Sequence, residues 1–125
     1  MCYFVNSGSE ANDMALLMSR LYTGNSDVMA LRNGYHGMSN ATMGMTAMHT
    51  WKYPVAQGQS VHHAMNPDPY RGAFGNDADA YVRDMRDIIN ASTSGNMAAF
   101  FHESIQVWRE SAARGDGRVE RTEIA

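Results

Sequence analysis

The sequence is poor in the features that would fix its class at once. A single cysteine, Cys2, has no partner for an internal disulfide and fits a reducing compartment. No apolar run approaches the roughly 20 residues that a bilayer-spanning helix needs, which excludes a helical membrane span. Lysine occurs once, at Lys52, and no stretch is rich in lysine or arginine; with a formal net charge of -3, the basic footprint of a nucleic-acid-binding protein is missing. Neither internal repeats nor low-complexity tracts interrupt the chain. The N-terminus has neither the charged start and long apolar core of a signal peptide nor the arginine-rich character of a transit peptide, so no address is readable and a soluble chain is expected. What is present is 125 residues, 44% of them hydrophobic, enough for one modest domain.

The chain alternates apolar runs of strand length with segments of helical period. Cys2 to Val5 is apolar, aromatic and β-branched, and predicts a buried strand. Because it begins directly after Met1, either the domain starts abruptly or the sequence is a piece of something longer. Ser7, Gly8 and Ser9 then supply turn chemistry and a helix N-cap, with Glu10 and Asp13 where a helix dipole favours negative charge. From Glu10 to Tyr22, Ala11, Met14, Ala15, Leu17, Met18, Leu21 and Tyr22 recur at helical spacing and predict an amphipathic helix closed by Gly24 and Asn25. Asp27 to Leu31 reads as a second strand, and strand–helix–strand predicts a parallel unit. A helix over Ser39 to Met48, a loop over Trp51 to Gln59, a strand over Ser60 to Met65 and an irregular excursion through "NPDPYRGAFGND" follow. A helix over Ala78 to Ala91, with Tyr81, Val82, Met85, Ile88 and Ile89 on one face, and a strand over Met97 to Phe101 complete an α/β domain. Residues 107–125 are dense in charge and poor in large apolar residues after Trp108; they predict a solvated, disordered tail, so the domain is expected over 1–106.

Three loops carry the chemistry. The Ser7–Ser9 turn opens a helix, where unpaired backbone N–H groups and hydroxyls suit a phosphate or carboxylate, although any strand-to-helix turn needs such residues for capping alone. It matches neither the dinucleotide nor the nucleotide phosphate-loop pattern. Tyr35 and His36 sit between Gly34 and Gly37, and as an isolated pair they read equally as packing. His102, Glu103 and Gln106 follow the last strand. Parallel strands gather their carboxyl-end loops on one side, so the three loops together would suit a flat, phosphorylated, nitrogen-containing cofactor.

The segments "YFVNSGSEAND", "LRNGYHGMSNATMGMTAMHTWKYP", "NPDPYRGAFG" and "HESIQ" together resemble class III aminotransferases of pyridoxal-phosphate fold type I, most closely their mitochondrial alanine–glyoxylate group. The resemblance covers about residues 2–106. It implies a partial fold-type-I large domain, with a mostly parallel sheet and flanking helices, that takes pyridoxal 5'-phosphate as cofactor. It also implies amino-acid and 2-oxo-acid substrates, a mitochondrial address, and either a homodimer or docking on full-length subunits. By the same resemblance Ser7, Gly8 and Ser9 hold the cofactor phosphate and Tyr35 stacks on its ring, with His36 beside it. Glu103, followed by Gln106, lies near the ring. No metal site is implied. The family's catalytic lysine and its pyridine-nitrogen aspartate match nothing in this sequence, since Lys52 lies in "TWKYP", where the family has no lysine role. The resemblance therefore implies a truncated, inactive piece with no catalytic residue of its own. A non-catalytic fragment that binds full-length subunits and a small domain for another phosphorylated ligand remain alternatives.

Overall fold

A computed structural model describes residues 1–106; the charged segment 107–125, expected as a disordered tail, lies outside the described residues. The element order is α1 (Gly8–Thr23), β1 (Val28–Leu31), a 3-10 turn (His49–Trp51), β2 (Val61–Ala64), α2 (Ala78–Ser92) and β3 (Ala99–Phe101). The three strands form one sheet in the order β2-β1-β3, and both pairings are parallel. Val28 stands opposite Val61 on one side and Ala99 on the other, so β1 is the centre. All four of its residues are buried, as expected of a parallel strand covered on both faces.

The two helices cover opposite faces. On one face Leu16 of α1 joins Val28, Ala30 and Met45, with Val61, Ala98, Ala99 and Phe101 packed alongside. On the other, Met29, Leu31 and Ala64 meet Met85, Ile88 and Ile89 of α2 together with Met97. Tyr81 of α2 is buried, and its hydroxyl accepts from the backbone N–H of Phe74 at 3.3 Å, which ties down the irregular 66–77 excursion. Val82, expected on the same face, is exposed. At the amino end of the sheet the Asp27 carboxylate meets His62 Nε2 at 3.0 Å and the Ser94 N–H at 3.4 Å, clamping the starts of β1 and β2 to the turn after α2. The His62 bond, with the Ser94 N–H behind it, holds the Asp27 carboxyl below its ordinary pKa.

The structure changes three expectations. Residues 2–5 form no strand: none of β1, β2 and β3 pairs with them, and an apolar run becomes a strand only where a neighbouring ladder takes its N–H and C=O groups. Phe4 consequently stands 95% exposed. Residues 40–45 are successive turns and 46–48 irregular, not a helix. Ser39 and Thr42 cap each other as at a helix start, the Ser39 N–H donating to Thr42 Oγ1 and the Thr42 N–H to Ser39 Oγ, each at 3.1 Å. Gly44, however, is a poor helix former, and the Thr46 hydroxyl is bonded to the His36 N–H and the Gly37 carbonyl, which ends the turn there. The side of α1 turned to the sheet is also not the apolar stripe. Leu16 alone in this helix is fully buried, flanked by the partly buried Asn12, Asp13, Ser19 and Arg20, while Leu17, Met18, Leu21 and Tyr22 face out.

Truncating the inward and outward leucines separates these two sides of α1. Leu16→Ala is expected to destabilise the domain by about 2–5 kcal/mol, the range for a buried leucine. Leu17→Ala and Leu21→Ala should stay within about 0.5 kcal/mol of the parent, as for surface positions. Urea unfolding followed by far-ultraviolet circular dichroism measures all three; a loss at Leu21 matching that at Leu16 would mean the outward side is buried.

Candidate functional site

Parallel strands place the loops after β1, β2 and β3 at one end of the sheet, and α1, running back across the face, brings its amino end to the same place. The start of α1 is held by reciprocal caps: Ser7 Oγ accepts from the Glu10 N–H at 3.2 Å, and Glu10 Oε2 accepts from the Asn6 N–H at 2.7 Å. Ser7 is thereby committed to capping. The first amides of the helix, on Gly8 and Ser9, have no carbonyl one turn back within it. Gly8 is exposed and no side chain stands within 4 Å of where its Cβ would lie, so the helix end is open. Ser9 points at the loop after β1: a Cβ built on Gly37 would sit 2.5 Å from Ser9 Oγ and 2.8 Å from Thr42 Oγ1. With φ at +112°, Gly37 is required both by its backbone conformation and by this close approach.

Tyr35 and His36 occupy the same loop. Tyr35 is half-buried, its ring 5.5 Å from that of Trp51 in a T-shaped contact at 66°. Its N–H donates to Glu103 Oε2 at 3.1 Å, which draws the loop after β3 onto the loop after β1. His36 is 4% exposed and packs edge to face with Phe101, ring centroids 6.1 Å apart. Its Nε2 is buried and has no hydrogen-bond partner among the described residues. Burial, reinforced by the charges of His63 and His102, pushes the His36 pKa down to about 4, so the ring is neutral at physiological pH.

Of the residues expected at the site, Ser9, Tyr35, His36 and Glu103 therefore share one end of the sheet, with Gly8 at the open helix end. Ser7 supports them as a cap. Gln106 lies at the same end of the sheet, its amide paired reciprocally with Asn66 at 2.8 and 2.6 Å, which joins the loops after β3 and β2. Lys52 is exposed and donates to Gln57 Oε1 at 3.0 Å. The sequence reading missed Asn12, Asp13, Ser39, Thr42 and Thr46, which bind α1 to the Tyr35 loop, and Trp51 beside Tyr35. The signal for the hydroxyl group was the density of short polar side chains in "GMSNATMGMT", which had been read only as a weak helix. Among the described residues no group of three or more His, Cys, Asp or Glu is placed to hold a metal ion, and no helix is long and apolar enough to cross a membrane.

An open helix end, an aromatic loop and a carboxylate loop thus gather at the carboxyl edge of a parallel sheet in an α/β domain. The family model for class-III aminotransferases matches residues 1–108, and the chain belongs to that family. It is 55% identical over 104 residues to the alanine–glyoxylate aminotransferase 2 homolog 2, mitochondrial, of Arabidopsis thaliana, covering 83% of this chain and 22% of that protein. It is 32% identical over 126 aligned positions to the human mitochondrial alanine–glyoxylate aminotransferase 2, covering 83% of this chain and 24% of the relative. Among solved structures, an amine transaminase from an uncultivated Pseudomonas in its pyridoxal-phosphate-bound form superposes with a TM-score of 0.72 at 26% identity, over 82% of this chain and 26% of that one. The omega transaminase of Pseudomonas jessenii in complex with PMP gives a TM-score of 0.73 at 25% identity, over 82% and 25%. The fold is thus part of the fold-type-I transaminase domain, and the chain spans about a quarter of the length of these relatives.

The orphaned imidazole generates a pH dependence. Between pH 6.5 and about 4 the unfolded chain protonates His36 while the folded chain does not. The stability is therefore complete above that window and declines as pH falls through it. His63, likewise lowered by burial, acts in the same direction. Replacing His36 by Gln, which does not titrate, should remove about 2 kcal/mol of the decline between about pH 7 and pH 5. Urea midpoints for parent and variant at both pH values measure it, and parallel declines would contradict the assignment.

Proposed function

We propose that this chain carries the phosphate- and ring-binding part of a pyridoxal-phosphate-dependent transaminase of the alanine–glyoxylate type. Such an enzyme moves an amino group from an amino acid to a 2-oxo acid such as glyoxylate, and by its relatives' names it works in the mitochondrion. The observation that carries this reading is the meeting of Ser9, Tyr35 and Glu103 at one end of the sheet, through Gly37 and the Tyr35 N–H.

The residues present fit the phosphate and one face of the ring. The open amides of Gly8 and Ser9, with the Ser9 hydroxyl, suit an anion at the helix start. Gly37 keeps the neighbouring loop close enough to share that ligand. Tyr35, braced by Trp51, supplies an aromatic surface, and His36 Nε2 is a buried polar atom still lacking a partner. When bound, pyridoxal phosphate supplies an electron sink for amino-group transfer. This chain's residues hold and orient it and keep water from the ring. Glu103, fixed by the Tyr35 N–H, sets a negative charge beside the aromatic loop. Moving the substrate α-proton needs an amine at the site, and Lys52, on its exposed loop with Gln57, does not provide one. We therefore assign residues 1–106 the binding of the cofactor's phosphate and one face of its ring.

A second reading, docking of this chain on longer subunits or on its own copies, draws on the outward side of α1, where Phe4, Leu17, Leu21 and Tyr22 are 95%, 59%, 76% and 93% exposed. Apolar surface gathered in this way is unusual for a side that faces only water.

Titration of the purified chain with pyridoxal phosphate, followed by calorimetry and dialysis, should reveal weak, reversible binding that Lys52→Ala leaves unchanged. Ser9→Ala should weaken it by roughly 1.5–3 kcal/mol, the scale of a hydrogen bond to a charged group. Tyr35→Ala should cost about 1 kcal/mol. Indifference to both substitutions would sink the cofactor reading, and a cofactor that resists dialysis only while Lys52 is present would show that Lys52 supplies the amine.

A further inference from the structure

The cradle and the aromatic loop belong to separate elements, so something must fix the distance between them. Backbone pairing does not: α1 and the loop after β1 meet through side chains. Asn12 Nδ2 donates to the His36 carbonyl at 3.0 Å, and Ser39 Oγ donates to Asp13 Oδ1 at 2.6 Å. Both contacts lie one helical turn beyond the cradle residues Gly8 and Ser9.

The direction of every hydroxyl in this group follows from proton counting. A carboxylate only accepts, so the single hydrogen of Ser39 goes to Asp13. In the 2.8 Å contact between Ser39 and Thr42 the donor is then Thr42. Thr42 Oγ1 accepts in turn from the Ser39 N–H, and Ser39 Oγ from the Thr42 N–H. Thr46 closes the other side: its hydroxyl accepts from the His36 N–H at 3.0 Å and donates to the Gly37 carbonyl at 2.9 Å. Thr42 and Thr46 are fully buried, so none of these bonds is readily exchanged for water. The chain of donors runs Thr42 to Ser39 to Asp13, and Asp13 is its terminal acceptor.

We propose that Asn12 and Asp13 are positioning residues, a two-point latch that holds the loop bearing Tyr35 and His36 at a fixed distance from the open end of α1 so that both close on one pyridoxal-phosphate ligand. The proposal rests on the cradle reading above. Its chemistry also separates two effects of Asp13. The acceptor oxygen orders the loop, while the negative charge lies one turn from the site of an anionic phosphate and opposes it. An amide at position 13 keeps the oxygen and removes the charge.

The test uses the full chain and two readouts. Amide exchange by NMR reports the latch without ligand: in Asp13→Ala the Ser39 and Thr42 amides should exchange roughly tenfold faster, the equivalent of one charged hydrogen bond, with Val28–Leu31 unchanged. Ser39→Ala, which removes the same bond together with the acceptor of the Thr42 N–H and hydroxyl, should have at least as large an effect, and adding Asp13→Ala to it should change little further. Asp13→Asn, which keeps a neutral acceptor, should stay closer to the parent than Asp13→Ala. In titrations with pyridoxal phosphate, Asp13→Ala should bind roughly tenfold more weakly and Asp13→Asn at least as tightly as the parent. Unchanged exchange in Asp13→Ala, or an Asp13→Asn variant as defective as Asp13→Ala, overturns the proposal. If Ser9→Ala weakens binding while Asp13→Ala does not, the latch is wrong and the cradle stands. If neither weakens binding, the cradle reading falls and takes the ligand role of the latch with it.

Discussion

Everything in this structure depends on β1 being paired in parallel on both edges. A strand so placed is buried on both faces, which is why its four residues are all apolar and why one helix must cover each side. Parallel pairing also decides where chemistry can collect. All three carboxyl ends point the same way, and α1, which must run back across the face, delivers its amino end to that edge. The Ser9, Tyr35 and Glu103 loops meet because of strand direction and not because of nearness in sequence, since 68 positions separate Tyr35 from its Glu103 partner.

The second level of organisation is polar. The Tyr35 loop cannot be held by a helix or ladder of its own, and its short side chains would otherwise favour many local turns. Buried hydroxyls and two side chains of α1 select one arrangement. The consequence is an inversion in α1: the side carrying Asn12 and Asp13 turns inward, and Leu17, Met18, Leu21 and Tyr22 are left outside. Amphipathic spacing identifies the two sides of a helix but not which of them meets this sheet. Here hydrogen bonds to the loop, with Arg20 donating to the Ser26 and Gln59 carbonyls, fix the rotation.

The same logic explains the strand that is missing. Residues 2–5 have strand chemistry, yet strand geometry is a property of a pair, and none of β1, β2 and β3 pairs with them. The anion cradle consequently begins in an extended segment, and its position is set from the helix side by the Ser7 and Glu10 caps and the Ser9 approach to Gly37.

The sequence by itself determined the α/β class, the central and edge strands from Asp27, Ser60 and Met97 onward, the α1 cap at Ser7, the closing Gly24 and the four residues Ser9, Tyr35, His36 and Glu103 that share one end of the sheet. The caps, apolar runs and glycines are local signals that need only their neighbours in the chain, whereas the shared end of the four site residues follows from the order of parallel strands. The tertiary structure alone decided that residues 2–5 stay unpaired, that residues 39–48 turn instead of coiling, that Gln106 goes to Asn66, and that Leu16 and the polar Asn12 and Asp13 form the inward side of α1. Apart from the turns at 39–48, where Ser39 and Thr42 are near neighbours, these outcomes depend on which distant group is placed to accept a hydrogen bond or bury a side chain, and no short window of sequence contains both partners.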